Sequence, residues 1–287
     1  MSSWLLIDAY SLAFRSFYAM PELSRADGFP TNALHGWIRT LWWLQDNQRP
    51  EHIALFYDLG EPKRRTALLP EYKAQRAETP LALRQQIPVI KALGKAMGLG
   101  QIEETGKEAD DLIAQWADQL NRDGKTVCIV SSDKDLAQSI RPGICQLLPP
   151  PTVNPKTGWR ELDEAGVRAK FGVEPSQIPD FLALVGDTSD NIPGLAGVGP
   201  KTAAQWLRQY HTLENIIAHA ARLKPVRLQN HVHQQAGRLR TNLMLTQLEG
   251  ATEVLLPDIP PPDAQALLAL LAEYEMSHAR EEALKRY

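Results

Sequence analysis

The chain has 287 residues, 44% hydrophobic and 23% charged, which is room for two modest domains with cores of their own and excludes a disordered or collagen-like polymer. Its longest apolar runs, Trp4 to Ile7 and Ile53 to Tyr57, fall far short of the roughly 20 residues of a membrane helix, and no charged-then-apolar leader precedes Asp8, so a soluble cytoplasmic protein is expected. The net charge of −3 hides an alternation: residues 61–95 carry +5, residues 196–240 carry +6 and the other 207 residues −14. Cationic segments among acidic ones suit a chain that grips a polyanion and also holds divalent cations, an ordinary solvated surface being the other reading.

In chain order, Leu5-Leu6-Ile7 before Asp8 reads as a buried strand and residues near 32–47 as a helix. A second strand, Ile53 to Tyr57, precedes Asp58; helices follow near 81–98 and 108–122, and a third strand, Val127 to Val130, leads into Ser131-Ser132-Asp133. Strands alternating with helices imply βαβ units and a mostly parallel sheet covered on both faces. Ligands gather beyond the carboxyl ends of such strands, where Asp8, Asp58 and Asp133 all stand. Trp37, Trp42 and Trp43 are expected in the core, and Cys128 and Cys145, in apolar company and without a CxxC spacing, as reduced buried thiols. After Gln146 to Leu148 the prolines 149–151 and Gly158 interrupt the pattern, and helices are expected near 161–171, 176–185, 200–209 and 263–273. A domain boundary is placed near 165, and Pro257 with Pro260–Pro262 marks a loop before the last helix.

Nine acids stand out: Asp8, Asp58, Glu108, Asp110, Asp111, Asp133, Asp135, Asp187 and Asp190. Singly, each has a local explanation. Thr105 to Glu108 fits a capping box, Asp110 and Asp111 suit a first helical turn, Ser132 with Asp135 could cap another, and Asp187 and Asp190 lie in a string rich in Asx turns. Together they exceed what capping needs. If they converge, their repulsion raises several pKa values unless cations neutralise them, and an all-oxygen set selects Mg²⁺ or Mn²⁺ over zinc. Such a cluster can hold two ions about 4 Å apart, the arrangement for cutting a phosphodiester without a protein nucleophile. His231 and His233 offer only a weak soft-metal alternative.

Gly194 to Thr202 superficially resembles a phosphate loop, but Pro200 separates Gly199 from Lys201 and no strand precedes it. The better reading is a helix-hairpin-helix element: a helix to Val185, a Gly197-Val198-Gly199 hairpin and a helix opened by Pro200. Its exposed N–H groups, with Lys201 and Thr202, would receive a DNA phosphate without reading a base; a plain tight turn is the alternative. In Tyr72-Lys73-Ala74-Gln75-Arg76, Tyr72 could stack on a base while Lys73 and Arg76 bind the phosphate being cut, an unpartnered basic helix end being the bland reading.

The order Ile7-Asp8-Ala9, Phe56-Tyr57-Asp58, Tyr72 to Arg76, Gly106 to Asp111, Ser132 to Asp135, Gly186 to Asn191 and Gly197 to Ala203 resembles the bacterial 5′-3′ exonuclease or flap endonuclease family over residues 4 to about 250. The resemblance includes the nuclease portion of bacterial DNA polymerase I, here expected as a stand-alone protein. It implies an α/β, PIN-like, mostly parallel sheet flanked by helices over residues 1–165, with a helical arch at about 65–98. An all-helical DNA-binding domain with a helix-three-turn-helix motif would follow over 166–287. By motif match, Asp8, Asp58, Glu108 and Asp110 would hold the first metal and Asp111, Asp133, Asp135, Asp187 and Asp190 the second, some through water. The resemblance further implies that Lys73 and Arg76 steer the scissile phosphate, and that carbonyls near Gly194 to Gly199 hold K⁺ against a DNA phosphate. The expected substrate is DNA with a 5′ flap or end, RNA primers included, cut by a monomer alongside a separate polymerase. A non-catalytic DNA binder and a PIN-type ribonuclease are the alternatives. Asp8-Ala9, where many relatives have Asp-Gly, is a small departure.

Overall fold

A computed structural model describes residues 3–151, 154–249 and 259–287. The first strand, β1 (Trp4–Asp8), divides its side chains between two cores, as an interior strand must. Leu5 and Ile7 face one layer of helices, and Trp4 and Leu6 face the other. Asp8 then caps α1 (Ala9–Ala19) by accepting the Ser11 N–H at 2.9 Å, which explains a helix that hydrophobic spacing alone did not announce. There follow α2 (Asn32–Gln48), β2 (His52–Leu59), α3 (Lys63–Leu68), α4 (Leu81–Ala96), β3 (Gly100–Thr105), α5 (Ala109–Arg122), β4 (Val127–Val130) and β5 (Ile144–Leu148). With β6 (Arg160–Leu162) they form one sheet in the order β3-β2-β1-β4-β5-β6, parallel except for the β5–β6 pair.

On one face, α5 packs Leu112, Ile113, Trp116 and Leu120 against Leu6, Phe56 and Ile129. On the other, α1, α2 and α4 cover Leu5, Ile7, Leu55 and Tyr57, with Trp37 and Trp42 inside. Trp43 departs from expectation: it lies at the surface, stacked on Trp159 with ring centroids 5.0 Å apart. The segment expected as a helical arch holds two helices, α3 and α4. Buried Gln86 of α4 donates to Asn32 Oδ1 at 3.0 Å and accepts the Leu34 N–H at 3.2 Å, which fixes α4 to α2. Only the connection near residues 70–80 is largely exposed.

Residues 161 and 162, expected to begin a helix, instead extend the sheet with Arg160, because Leu162 and Arg160 pair with Gln146 and Leu148. Beyond them α6 (Glu164–Phe171), α7 (Ile178–Val185), the short hairpin of β7 (Gly186–Asp187) and β8 (Ile192–Pro193), α8 (Pro200–Tyr210), α9 (Leu213–Ala218), α10 (Gln229–Gln234) and α11 (Ala236–Thr246) build a helical unit. Its core centres on Trp206, Phe181 and Leu207. The last two helices, α12 (Ala264–Glu273) and α13 (Ser277–Arg286), do not join it. They return to the first core through Leu267, Leu271 and Met276, and Arg286 pairs with Asp46, so the expected 166–287 unit is not continuous in space. Pro257, expected in the loop before α12, lies outside the described residues.

Candidate active site

The strand order reverses between β1 and β4, the kind of point at which open α/β sheets bind ligands. Asp8 ends β1, Asp58 lies one residue from the end of β2, Asp133 follows β4, and Asp110 stands in the first turn of α5. Local hydrogen bonds aim three of them. Asp58 Oδ1 accepts the Ala109 N–H at 2.7 Å and thereby sets the start of α5. Asp8 Oδ2 accepts the Ser131 hydroxyl at 3.2 Å, the Asp133 N–H donates to Ser131 Oγ at 3.1 Å, and Asp133 Oδ1 accepts the Asp135 N–H at 2.9 Å. Buried Gln146, which the sequence did not single out, donates to the Ser131 and Asp133 carbonyls at 3.0 and 2.6 Å and holds that loop. The four acids line a cleft of about 1140 Å³ that also carries Arg15, Lys73, Arg76, Arg84, Arg160 and Lys170.

A second group lies beside the first. Carboxylate oxygens of Asp135, Asp187 and Asp190 lie within 4.8 Å of one another, and all three residues are buried; among the described residues this is the one grouping of His, Cys, Asp and Glu so tight. Asp187 receives the Ser189 N–H at 3.0 Å, the Asx turn expected there, and also pairs with Lys134. Burial raises the Asp187 carboxyl, but Lys134 and Ser189 outweigh it and hold the group below its ordinary range. The loop is clamped to the basic turn before α4: the Lys73 N–H donates to the Asp190 carbonyl at 3.1 Å, and Asn191 Nδ2 to the Glu71 carbonyl at 2.8 Å. Lys73 and Asn191 take left-handed backbone angles, φ 55° and 59°, which costs non-glycine residues energy that these contacts offset.

Two of the nine acids are diverted. Asp111 Oδ1 accepts from Arg65 Nη2 at 2.8 Å and from the Glu249 N–H at 2.9 Å, and its other oxygen accepts from Arg65 Nη1, so this carboxylate belongs to an ion pair rather than to the cleft. Glu108 makes no cap hydrogen bond; it receives Arg65 at 2.6 Å and also Lys73. Tyr72, expected to stack on a base, is only 6% exposed, packed with Ile192 and Leu245. Its hydroxyl lies 2.9 Å from Asp190 Oδ2 and 3.1 Å from Glu108 Oε2, which makes it a post between the second acid group and the diverted Glu108. The exposed aromatic of the cleft is Tyr18, at 61%. Arg76 is exposed and lines the cleft; Lys73 lines it too, held by Glu108.

The electrostatics of the cleft are those of a site short of positive charge. Burial first, then the nearby Asp58 and Asp133 charges, raise the Asp8 carboxyl from 3.8 to about 7 against the opposing Ser11 amide. Burial and the neighbouring Asp133 charge likewise push Asp110 and Asp135 well above the usual carboxylate range. Asp110 Oδ1 and Asp135 Oδ1 are buried without a hydrogen-bond partner, an expensive condition that a hard divalent cation relieves. The donor set therefore fits Mg²⁺-like ions.

A pH dependence follows. The folded, metal-free protein keeps a proton on Asp8 that the unfolded chain has already lost, so its stability falls as pH rises from about 4 to about 7, and is not regained above that window. Thermal unfolding in a chelator should show Asp8→Asn growing more stable relative to the parent across this range. A constant difference between the two proteins would overturn the assignment.

In the helical unit, the backbone between α7 and α8 is tightly folded. A Cβ on Gly194 would sit 2.1 Å from the Val185 carbonyl oxygen, and one on Gly186 would sit 2.3 Å from the Gly194 nitrogen. Gly197 is left-handed at φ 81°, Val198 is buried, and Gly199 precedes α8 in extended conformation with Pro200 in its first turn. Lys201 is exposed and Thr202 half-buried at the helix start, while Arg238 Nη2 donates to the Gly194 carbonyl at 3.0 Å. Gly194→Ala should cost about 3 kcal/mol through this overlap. An unchanged unfolding temperature would show the loop to be free to relax.

Among the described residues no helix is long and apolar enough to cross a membrane. Residues 3–172 match a family model described as 5′-3′ exonuclease, N-terminal resolvase-like domain, and residues 173–260 one described as 5′-3′ exonuclease, C-terminal SAM fold. The chain is 42% identical over 217 residues to a 5′-3′ exonuclease of Aquifex aeolicus, covering 76% of this chain and 73% of that protein. It is 34% identical over 277 residues to DNA polymerase I of Bacillus caldotenax, covering 94% of this chain but 31% of the polymerase. Two solved structures share the fold. One is bacteriophage T5 D15 flap endonuclease in a pseudo-enzyme-product complex with DNA and metal ions, with a TM-score of 0.68, 21% identity and 98% of each chain covered. The other is the catalytic core of Rad2 in complex with a DNA substrate, with a TM-score of 0.65, 15% identity, and 99% of this chain and 91% of that chain covered.

Proposed function

The chain belongs to the 5′-3′ exonuclease family, and from that premise we propose that it is a structure-selective 5′-3′ exonuclease and flap endonuclease, hydrolysing DNA phosphodiesters to a 5′-phosphate and a 3′-hydroxyl. The observation that carries the reading is the cleft at the sheet's switch point, where Asp8, Asp58, Asp110 and Asp133 face a groove rimmed by basic side chains. Asp8, Asp58, Asp110 and Asp133 would hold one Mg²⁺ or Mn²⁺, and Asp135, Asp187 and Asp190 the second. Bound there, such ions lower the pKa of a water and offset charge on the leaving oxygen.

The chain's own groups do the rest. Arg76, and Lys73 once it exchanges Glu108 for substrate, orient the scissile phosphate; the exposed ring of Tyr18 offers a base a stacking face. The start of α8, with Gly197, Gly199, Lys201 and Thr202, receives a duplex phosphate through backbone N–H groups and a lysine point charge. K⁺ would be held by carbonyls of the Gly194 to Gly199 loop, where those of Gly194, Leu195 and Gly199 already accept from Arg238, Val198 and Ala203. The protein would act as a monomer on the products of a DNA polymerase, in replication or repair.

A 5′-flap duplex labelled at both ends, incubated with and without Mg²⁺, tests the reading. Mg²⁺-dependent release of a 5′ fragment is expected, with Asp133→Ala still binding the DNA but not cutting it. Binding without cleavage by the parent protein would favour a non-catalytic binder, and faster cutting of an RNA flap would favour a ribonuclease.

A further inference from the structure

Arg160 and Lys170 are cations without an evident task. Both line the cleft, and among the described residues neither makes an ion pair or a side-chain hydrogen bond. Lys170 Nζ lies 4.8 Å from the centre of the Phe171 ring. The acids nearby in sequence do not serve them. Side chains alternate along β6, so Glu161 points away from the face of Arg160, and Glu161, Asp163 and Glu164 line a separate pocket with Arg141 and Cys145. Burial and the proximity of Arg160 and Lys134 lower the Lys170 ammonium below its ordinary range, as expected for crowded like charges.

The sheet register locates this pair relative to the acids. Ile7 is opposite Val130, Val130 opposite Leu147, and Leu148 opposite Arg160, so Asp8 and Arg160 lie in one row across β1, β4, β5 and β6. Three strand spacings of about 4.8 Å put them about 14 Å apart. Successive phosphates of a strand lie about 7 Å apart, twice the roughly 3.4 Å axial rise because the backbone winds around the axis, so about two nucleotides span that distance. Lys73, Arg76 and Arg84 come from the segment between β2 and β3, on the other side of the switch point, so the acids lie between two basic walls.

We propose that Arg160 and Lys170 form a phosphate-binding station for the strand being cut, about two nucleotides from the scissile bond. The proposal rests on the nuclease reading above, but its test includes a readout that needs no turnover. The substrate is the 5′-flap duplex with a single neutral methylphosphonate linkage moved stepwise along the cleaved strand, to eight positions on each side of the cut. Affinity is measured by fluorescence anisotropy in Ca²⁺, and KM and kcat in Mg²⁺. With the parent protein, one linkage about two nucleotides from the cut should weaken binding about tenfold.

In the double variant Arg160→Ala/Lys170→Ala, unmodified DNA should bind about tenfold more weakly, with KM changing more than kcat. The slope of log affinity against log salt should flatten by at least about 0.7. The distinguishing result is that the methylphosphonate penalty at that one position vanishes in the variant while penalties elsewhere remain. Persistence of the penalty, or unchanged affinity in a variant whose unfolding temperature matches the parent, would overturn the station. Failure of the parent to cut any flap would count against the nuclease reading and leave the binding result to decide this one.

Discussion

Asp110→Asn should lower turnover on a 5′-flap DNA by at least about 10³-fold and at the same time make the metal-free protein more stable. The loss corresponds to about 4 kcal/mol at 1.36 kcal/mol per decade, within what a ligand to a catalytic ion contributes. The gain has a separate cause. Asp110 is half-buried with its Oδ1 enclosed and without a hydrogen-bond partner, and Asp133, Asp8 and Asp58 add unfavourable charge around it. Removing the charge while keeping the shape should yield about 1 kcal/mol in a chelator, the trade of stability for function common at active sites. Single-turnover cleavage and thermal unfolding of the same preparation measure the two effects. Turnover within tenfold of the parent would place Asp110 outside the metal set, and a drop in metal-free stability would mean its carboxylate has a partner after all.

Arg65→Met should be the most destabilising single change near the site. Arg65 is 4% exposed and donates to Glu108, to both oxygens of Asp111 and, through Nε, to the Leu245 carbonyl at 3.0 Å. A buried ion pair that loses one member leaves charge without compensation, at a cost of about 3–5 kcal/mol. In a chain of this size that is a fall of about 10 °C in unfolding temperature. Glu108 keeps Lys73 and Tyr72, so most of the loss falls on Asp111. The double variant Arg65→Met/Asp111→Leu should therefore recover much of the stability, because an apolar replacement of a whole buried pair is often neutral. Equal instability of the single and double variants, read from urea unfolding midpoints, would show that the Leu245 contact or packing was what mattered. Because Leu245 lies in α11, the same side chain ties the helical unit to the acidic groups.

The sheet, its switch-point edge and the tight glycine turn between α7 and α8 can be read from the residues alone. Those features are written in local signals: apolar runs that stop at Asp8, Asp58 and Asp133, helical spacing, and Gly197-Val198-Gly199 ahead of Pro200. All nine acids also stand out locally, but nothing local divides them. Asp110 and Asp111 are neighbours in sequence, yet successive residues of an α-helix point about 100° apart, so one faces the cleft and the other faces Arg65. Which acid meets a cation depends on partners 43 and 46 residues away for Arg65, and 118 residues separate Tyr72 from Asp190. From its neighbours Tyr72 reads as a stacking ring, because nothing local shows that Ile192 and Leu245 cover it. The row joining Asp8 to Arg160 is likewise a property of strand order and register alone. Local sequence sets where a side chain starts; only the packing of distant segments decides what neutralises a buried charge, and here that choice separates the cleft acids from the acids that hold the fold together.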